Sequence, residues 1–182
     1  MTADLNAYRR FFAEEIQVAS NLQSPAVIDA LAAVPRERFL PPGPWTIRSE
    51  SDFGGPPRQT PTDDPRCVYH NVAVAIDPAR MLFNGAPGLV GLAIDRLRLG
   101  PGERALHVGT GTGYFTALMG HCVGAAGRVV GIEVDEELAA KARANLASMP
   151  WVTVRPGDGR GPLGETFDAI LVNAGMTHAP DE

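Results

Sequence analysis

The chain has 182 residues, enough for one domain or for one domain with a small appendage. Apolar residues make up 45% of it, as in an ordinary globular core. A formal net charge of −5 argues against a broad nucleic-acid surface. No apolar run approaches the roughly 18 residues of a membrane span, and the N-terminus lacks a signal-peptide core. With two cysteines far apart, Cys67 and Cys122, we expect a soluble cytoplasmic protein with free thiols, no metal site, and no nucleic-acid or membrane partner.

The first third of the chain predicts two helices and a loop. Residues 4–20 place apolar and charged side chains at helical spacing. Ser24 followed by Pro25 is typical of a helix start, and this second helix is predicted to stop near Pro35. Residues 41–66 hold seven prolines and three glycines, which favours a long loop. We therefore treat residues 1–68 as N-terminal helices with a proline-rich loop.

From residue 69 the pattern changes to one of alternating strands and helices. After a short strand at 72–76, Pro87 is predicted to open a helix through Leu97, with Gly100 as its C-cap. The elements that follow are strand 105–108, helix 113–123, strand 129–133, helix 136–148 with Asp135 as N-cap, strand 152–155 and strand 168–173. Such alternation implies right-handed crossovers and a parallel sheet covered on both faces. Residues 69–182 thus predict an α/β, Rossmann-like, doubly wound domain.

The turn after strand 105–108 carries the strongest functional pattern. The stretch reads Ala-Leu-His-Val-Gly-Thr-Gly-Thr-Gly, so that Gly109, Gly111 and Gly113 alternate before the next helix. Glycines permit a sharp turn and let a ligand approach without meeting a Cβ. Glu133 ends the next strand 20 positions later, and carboxyl ends of parallel strands face one crevice. A carboxylate there can accept hydrogen bonds from both ribose hydroxyls of a nucleoside.

The spacing of these glycines distinguishes two classes of nucleoside. A dinucleotide site uses G-x-G-x-x-G, whereas here the third glycine comes one residue early and Tyr114 follows it. The G-x-G-x-G spacing resembles the first motif of S-adenosylmethionine-dependent methyltransferases. The alternative is a glycine-rich turn in a domain that binds nothing. Glu133, together with Gly157-Asp158-Gly159 after the third strand, favours the nucleoside site.

Taken together, the motifs resemble those of the protein-L-isoaspartate O-methyltransferases, and the match covers most of the chain. The glycine loop is common to many methyltransferases, but the segment Val34-Pro35-Arg36-Glu37-Arg38-Phe39 narrows the resemblance to this family. The other matching segments are Tyr69–Val72, Leu99–Arg104, Gly109–Tyr114, Gly157–Gly159 and Phe167–Ile170. The resemblance implies the class I methyltransferase fold.

The resemblance also implies a cofactor, S-adenosyl-L-methionine, and roles for residues around it. Glu133 would bind the ribose hydroxyls, Asp158 would lie at the adenine amino group, and the glycine backbone would pack against the methionine part. The full set of expected cofactor-binding residues is Gly109, Thr110, Gly111, Thr112, Gly113, Tyr114, Glu133, Val134, Gly157, Asp158 and Gly159. The implied methyl acceptor is an isoaspartyl carboxylate in damaged protein. Another carboxyl group or small molecule, or cofactor binding without turnover, stays open as an alternative.

Three features depart from the family pattern. Gly85 stands where a serine or threonine usually precedes the proline-led helix, beside the acceptor carboxylate. His107 stands on the first strand, where the family commonly has a carboxylate. Its side chain is either a histidine of the core or a group near the cofactor. The 41–66 loop also looks long. We expect the acceptor to enter near Asn84, Gly85 and Asn173, although Asn173 could equally cap a loop, and no catalytic side chain is assigned.

The parallel sheet looks incomplete. The superfamily has a seven-stranded sheet, and only four core strands are predicted before Glu182. The strand at 167–172 is nearly continuously apolar, as in a strand buried on both faces. We therefore expect either a polypeptide that continues past residue 182 or a homo-oligomeric partner that covers this edge.

Overall fold

The structure is a computed structural model and describes residues 4–49 and 55–175. It forms two compact units, which divide between Arg98 and Leu99. Residues 69–98, which the sequence analysis groups with the cofactor-binding domain, lie in the first unit. The domain division at residue 68 stays a prediction.

Three α-helices and a 3₁₀ helix account for most of the helical residues described in the first unit. They are α1 (Leu5–Ser20), α2 (Pro25–Ala33), a 3₁₀ helix (Arg36–Phe39) and α3 (Pro87–Leu97). Ser24 occupies the N-cap of α2, yet its hydroxyl makes no capping bond. Buried Asp95 of α3 instead holds the residues that lead into α2, since its Oδ1 accepts from the backbone N–H groups of Gln23 and Ser24 at 2.8 and 2.7 Å.

The predicted C-cap of α3 at Gly100 is wrong. Arg98 takes that place with φ of 54°, in the left-handed region, and its N–H donates to the carbonyl of Asp95. Glycine is favoured at such a position because it has no Cβ, but it is not required. The helix itself ends at Leu97, as predicted, and only the capping residue differs.

The predicted long loop at 41–66 is also wrong in part, because it contributes to an antiparallel sheet. The strands are β1 (Thr46–Ser49), β2 (Arg58–Gln59), β3 (Val72–Asp77) and β4 (Leu82–Phe83), in the spatial order β2-β1-β3-β4. A second 3₁₀ helix spans Pro65–Val68. Ile47 pairs with Val74 and is 5% exposed, so a single buried side chain anchors β1 despite the many prolines around it.

The second unit holds the predicted parallel sheet. Its strands are β5 (Arg104–Val108), β6 (Arg128–Glu133), β7 (Val152–Pro156) and β8 (Ala169–Val172), ordered β7-β6-β5-β8. The helices α4 (Tyr114–Val123) and α5 (Glu136–Asn145) connect β5 to β6 and β6 to β7. The α/β class is confirmed, and α5 ends three residues before the predicted 148. Asp135 caps α5 as predicted, accepting from the N–H groups of Glu137 and Leu138.

The last strand is not fully covered by the described residues, and its cover by a continued polypeptide or by a partner stays a prediction. Ile170 and Val172 of β8 are 53% and 48% exposed, so the strand is not buried on both faces within the described residues. Both side chains share a sheet face with Leu106, which packs with Val130 and Ile132 against Leu163 and Phe167. That apolar cover lies over β5 and β6. An apolar run indicates a strand here, but burial depends on which segments lie above it.

Candidate nucleoside site

The glycine loop crosses the carboxyl end of β6. The backbone N–H groups of Gly109 and Thr110 both donate to the carbonyl of Ile132, at 2.9 and 3.1 Å. The Thr110 hydroxyl donates to the same carbonyl at 3.2 Å and to that of His107 at 3.3 Å. The loop is thus bonded to the two strands that it follows and precedes.

All three glycines of the loop have a left-handed backbone, with φ of 84°, 56° and 100° for Gly109, Gly111 and Gly113. A Cβ at Gly109 would lie 2.5 Å from the carbonyl oxygen of Asn173, and one at Gly113 would lie 2.9 Å from Cδ1 of Leu146. These two glycines are therefore required by the protein's own packing as well as by any ligand.

Glu133 ends β6 with a carboxylate that is held by the backbone. The residue is only 7% exposed. Its Oε2 accepts from the N–H of Gly111 at 2.6 Å, and its Oε1 accepts from the N–H of Asp135 at 3.1 Å. An ionised carboxylate has about four acceptor positions, so each oxygen keeps one lone pair for a ligand.

The turn Gly157-Asp158-Gly159 lies beside Glu133. The N–H of Gly157 donates to the Glu133 carbonyl at 2.9 Å, which joins the turn to the end of β6. The Asp158 side chain is 48% exposed and forms an ion pair with Arg160 at 2.7 Å. The side-chain hydrogen bonds from Arg160 hold the pKa of Asp158 below its usual value. Asp158 is therefore a charged acceptor at neutral pH.

The remaining expected cofactor residues differ in exposure. Thr112 and Tyr114 are buried at 5% and 1%, whereas Val134 is 70% exposed. The carbonyl of Thr112 accepts from Nδ2 of Asn145 at 2.9 Å, so α5 helps to hold the loop. The sequence analysis missed both Asn145 and Arg160. An Asp-x-Arg spacing could have indicated Arg160, while nothing local marks Asn145.

His107 lies in the core, the first of its two predicted places. It is 0% exposed and its Nδ1 is 2.7 Å from the hydroxyl of Thr116 in α4. Burial lowers the pKa of its imidazole to about 4, so the ring is neutral at pH 7. Its Nε2 has no hydrogen-bond partner among the described residues.

The three acceptor-site candidates divide between the two units. In the first unit, Asn84 exchanges hydrogen bonds with Val74: its N–H donates to the Val74 carbonyl at 3.0 Å, and its Oδ1 accepts from the Val74 N–H at 3.1 Å. Gly85 follows with φ of 84°. In the second unit, the N–H of Asn173 donates to the carbonyl of Val108 at 2.8 Å. A joint acceptor site formed by these residues stays a prediction.

The described ranges 4–49 and 55–175 contain neither a candidate metal site nor a candidate membrane-spanning helix. No group of three or more His, Cys, Asp or Glu side chains there could hold a metal ion. No helix there is long and apolar enough to cross a bilayer.

Comparisons with known proteins identify the family of the chain. A family model for protein-L-isoaspartate(D-aspartate) O-methyltransferase matches residues 57–182. Protein-L-isoaspartate O-methyltransferase 1 of Rhodopseudomonas palustris is 35% identical over 175 residues, which cover 94% of this chain and 61% of that protein. The chain thus spans about three fifths of that relative's length.

Solved structures show the same fold. A protein-L-isoaspartate O-methyltransferase structure superposes with a TM-score of 0.73 at 24% identity, covering 94% of this chain and 50% of the other. A Plasmodium falciparum chain described as belonging to the same enzyme class, in complex with S-adenosyl-L-homocysteine, gives 0.69 at 20% identity, covering 94% and 76%. From the family match and these likenesses, the chain belongs to the protein-L-isoaspartate(D-aspartate) O-methyltransferase family.

Proposed function

We propose that this protein is an S-adenosylmethionine-dependent O-methyltransferase that transfers a methyl group to a carboxylate, with an isoaspartyl residue of a damaged protein as the substrate. The observation that carries the proposal is the Glu133 carboxylate. It is buried, fixed by two backbone N–H donors, and still has one acceptor position on each oxygen. That arrangement fits the two neighbouring hydroxyls of a ribose.

The other cofactor contacts follow from the same end of the sheet. Asp158 offers a charged acceptor that suits the amino group of adenine, and its turn is bonded to the Glu133 carbonyl. The backbone of Gly109, Gly111 and Gly113 would face the methionine part. S-adenosyl-L-homocysteine in the Plasmodium falciparum relative supports the choice of nucleoside.

Methyl transfer to a carboxylate needs few catalytic side chains. The bound cofactor would supply an electrophilic methyl group on a sulfonium. A carboxylate acceptor has an ordinary pKa of about 4 and is already ionised at pH 7, so the protein needs no strong general base. Its contribution is to hold two reactants in line and to exclude water, and such positioning can provide about 7–11 kcal/mol. Neutral, buried His107 is not required as a base in this scheme.

Gly85 bears on the identity of the methyl acceptor. Its φ of 84° lies in the left-handed region, where serine is disfavoured. Glycine lacks the hydroxyl that the family usually has at this position, and the local backbone favours glycine. This observation favours a second candidate, transfer to a different carboxyl group or small carboxylate by the same cofactor site.

We propose the cytoplasm as the setting, with protein repair as the role. Cys67 and Cys122 are both free thiols, as expected in a reducing compartment. The partner would be a protein or peptide that carries an isoaspartyl carboxylate, and the net charge of −5 disfavours nucleic acid.

A two-part experiment tests the proposal. Calorimetric titration with S-adenosyl-L-homocysteine measures cofactor binding. Incubation with methyl-labelled S-adenosylmethionine and an isoaspartyl peptide then measures methanol released from the labile methyl ester, with the normal aspartyl peptide as control. Binding plus methanol from the isoaspartyl peptide alone is expected. Binding without methanol would exclude isoaspartyl transfer and direct a screen of other carboxylates, and absence of binding would exclude the cofactor site.

A further inference from the structure

Arg160 makes every hydrogen bond that the Asp158 side chain receives among the described residues. Its backbone N–H donates to Oδ1 at 3.0 Å, while its Nε and Nη2 donate to Oδ2 at 3.0 and 2.7 Å. The guanidinium at Oδ2 and the backbone N–H at Oδ1 together restrain both oxygens of the carboxylate, and the ion pair favours its charged form. Because Oδ2 receives two bonds and Oδ1 only one, the free acceptor position lies on Oδ1.

The fold holds this pair at the carboxyl end of the sheet. Gly157 is bonded to the Glu133 carbonyl, and Gly159 has φ of 71°. A Cβ on Gly159 would lie 2.7 Å from Cγ1 of Val108, so the turn sits directly against the end of β5. Although the Arg160 side chain is 78% exposed, the turn that carries its partner Asp158 is bonded to the end of β6 and packs against the end of β5.

We propose that Arg160 is a positioning residue for adenine recognition. It holds the Asp158 carboxylate in one orientation, so that Oδ1 can accept a hydrogen bond from the adenine 6-amino group. This inference rests on the proposed cofactor site. Arg160→Ala keeps the backbone N–H bond to Oδ1 but removes both side-chain bonds to Oδ2. The ligand itself would then have to complete the immobilisation of Asp158, and freezing such a side chain costs binding free energy.

The chain contains a matched control for this pair. In the first unit, Arg66 donates to Asp64 with the same three groups: N–H to Oδ1 at 2.9 Å, and Nε and Nη2 to Oδ2 at 2.7 and 2.5 Å. Asp64 caps the 3₁₀ helix Pro65–Val68. Arg66→Ala therefore removes an ion pair of the same bonding pattern in the other unit, together with the Arg66 bond to the Tyr8 hydroxyl at 3.3 Å.

The experiment measures dissociation constants by calorimetry for two ligands, S-adenosyl-L-homocysteine and its analogue with hydrogen in place of the 6-amino group. Arg160→Ala should weaken binding of the amino ligand by about threefold to tenfold, the effect of one immobilised side chain. It should leave the affinity for the deaminated analogue unchanged. Arg66→Ala should change neither, and in an Asp158→Asn background Arg160→Ala should add no further loss.

The outcomes separate the inference from the proposed function. If Arg160→Ala weakens both ligands equally, the residue only supports the turn and the inference is overturned. The inference also fails if Arg160→Ala binds both ligands as the wild type does. If the wild-type chain binds neither ligand, the cofactor site itself is wrong.

Discussion

Glu133 and Asp158 follow neighbouring strands of one parallel sheet, yet the protein holds the two carboxylates differently. Glu133 is 7% exposed and bonded to backbone N–H groups of Gly111 and Asp135, whose positions the fold determines. The Asp158 side chain is 48% exposed and bonded to the arginine two residues later. One carboxylate depends on tertiary structure, and the other depends on a short local turn.

This difference predicts which substitutions should cost more free energy of folding or binding. Changes around Glu133 affect backbone contacts and buried groups, so they should be costly to the fold as well as to binding. Changes around Asp158 affect exposed groups, and water can replace much of the hydrogen bonding that these groups lose. The four predictions below test this contrast, from the largest expected effect to the smallest.

Of the four substitutions, Gly109→Ala should have the largest effect, and this effect is on the stability of the fold. A left-handed backbone costs an ordinary residue about 1–2 kcal/mol, and the new Cβ would lie 2.5 Å from the Asn173 carbonyl. With overpacking of about 1–3 kcal/mol, the free energy of unfolding should fall by roughly 2–5 kcal/mol. Urea denaturation measures it. Gly161→Ala, with nothing within 4 Å of its Cβ, is the control, and equal stability of the two variants would contradict the packing argument.

His107→Gln should flatten the dependence of stability on pH. Burial lowers the pKa of His107 to about 4, against 6.5 in the unfolded chain. The unfolded chain therefore binds the proton first, and folded stability is lost as pH falls from 6.5 to 4. The loss from this group is about 3 kcal/mol. Unfolding free energies measured at several pH values should show that slope in the wild type but not in the variant, and identical slopes would show that another group is responsible.

Glu133→Gln should weaken binding of S-adenosyl-L-homocysteine by about tenfold to a hundredfold, because hydrogen bonds to a charged group contribute about 1.5–3 kcal/mol. The amide also points an NH₂ group at one of the two backbone N–H donors. Calorimetry provides the dissociation constant, and thermal melting checks the fold. Glu137→Gln, on the exposed side of α5, is the control. An unchanged constant in a folded variant would remove Glu133 from the ribose site.

Asp158→Asn should have the smallest effect, about twofold to tenfold on the same dissociation constant, since a net hydrogen bond contributes about 0.5–1.5 kcal/mol. The amide can keep its Oδ1 acceptor, and water reaches the exposed turn. The free energy of unfolding should stay nearly constant. A loss larger than that of Glu133→Gln would reverse the contrast between the two carboxylates.

Most helices and strands could be predicted because their signals, a capping residue, a proline or a short apolar run, lie within a few neighbouring residues. Ser24-Pro25 and Pro87 start helices, Asp135 caps α5, and short apolar runs form β5, β6 and β7. The errors came where a distant contact decides. Proline-rich residues 41–66 include β1, because Ile47 pairs with Val74.

The same division applies to the candidate site. Alternating glycines, an acidic residue 20 positions later and Gly-Asp-Gly are chain-local features that predicted the nucleoside site. The segment Val34–Phe39, also local, narrowed the resemblance to the family. Tertiary structure alone decided that Gly109 packs against Asn173, that Asn145 holds the Thr112 carbonyl and that His107 is buried against Thr116. These contacts join residues far apart in the chain, and burial, distance and pKa arise only when the fold brings them together.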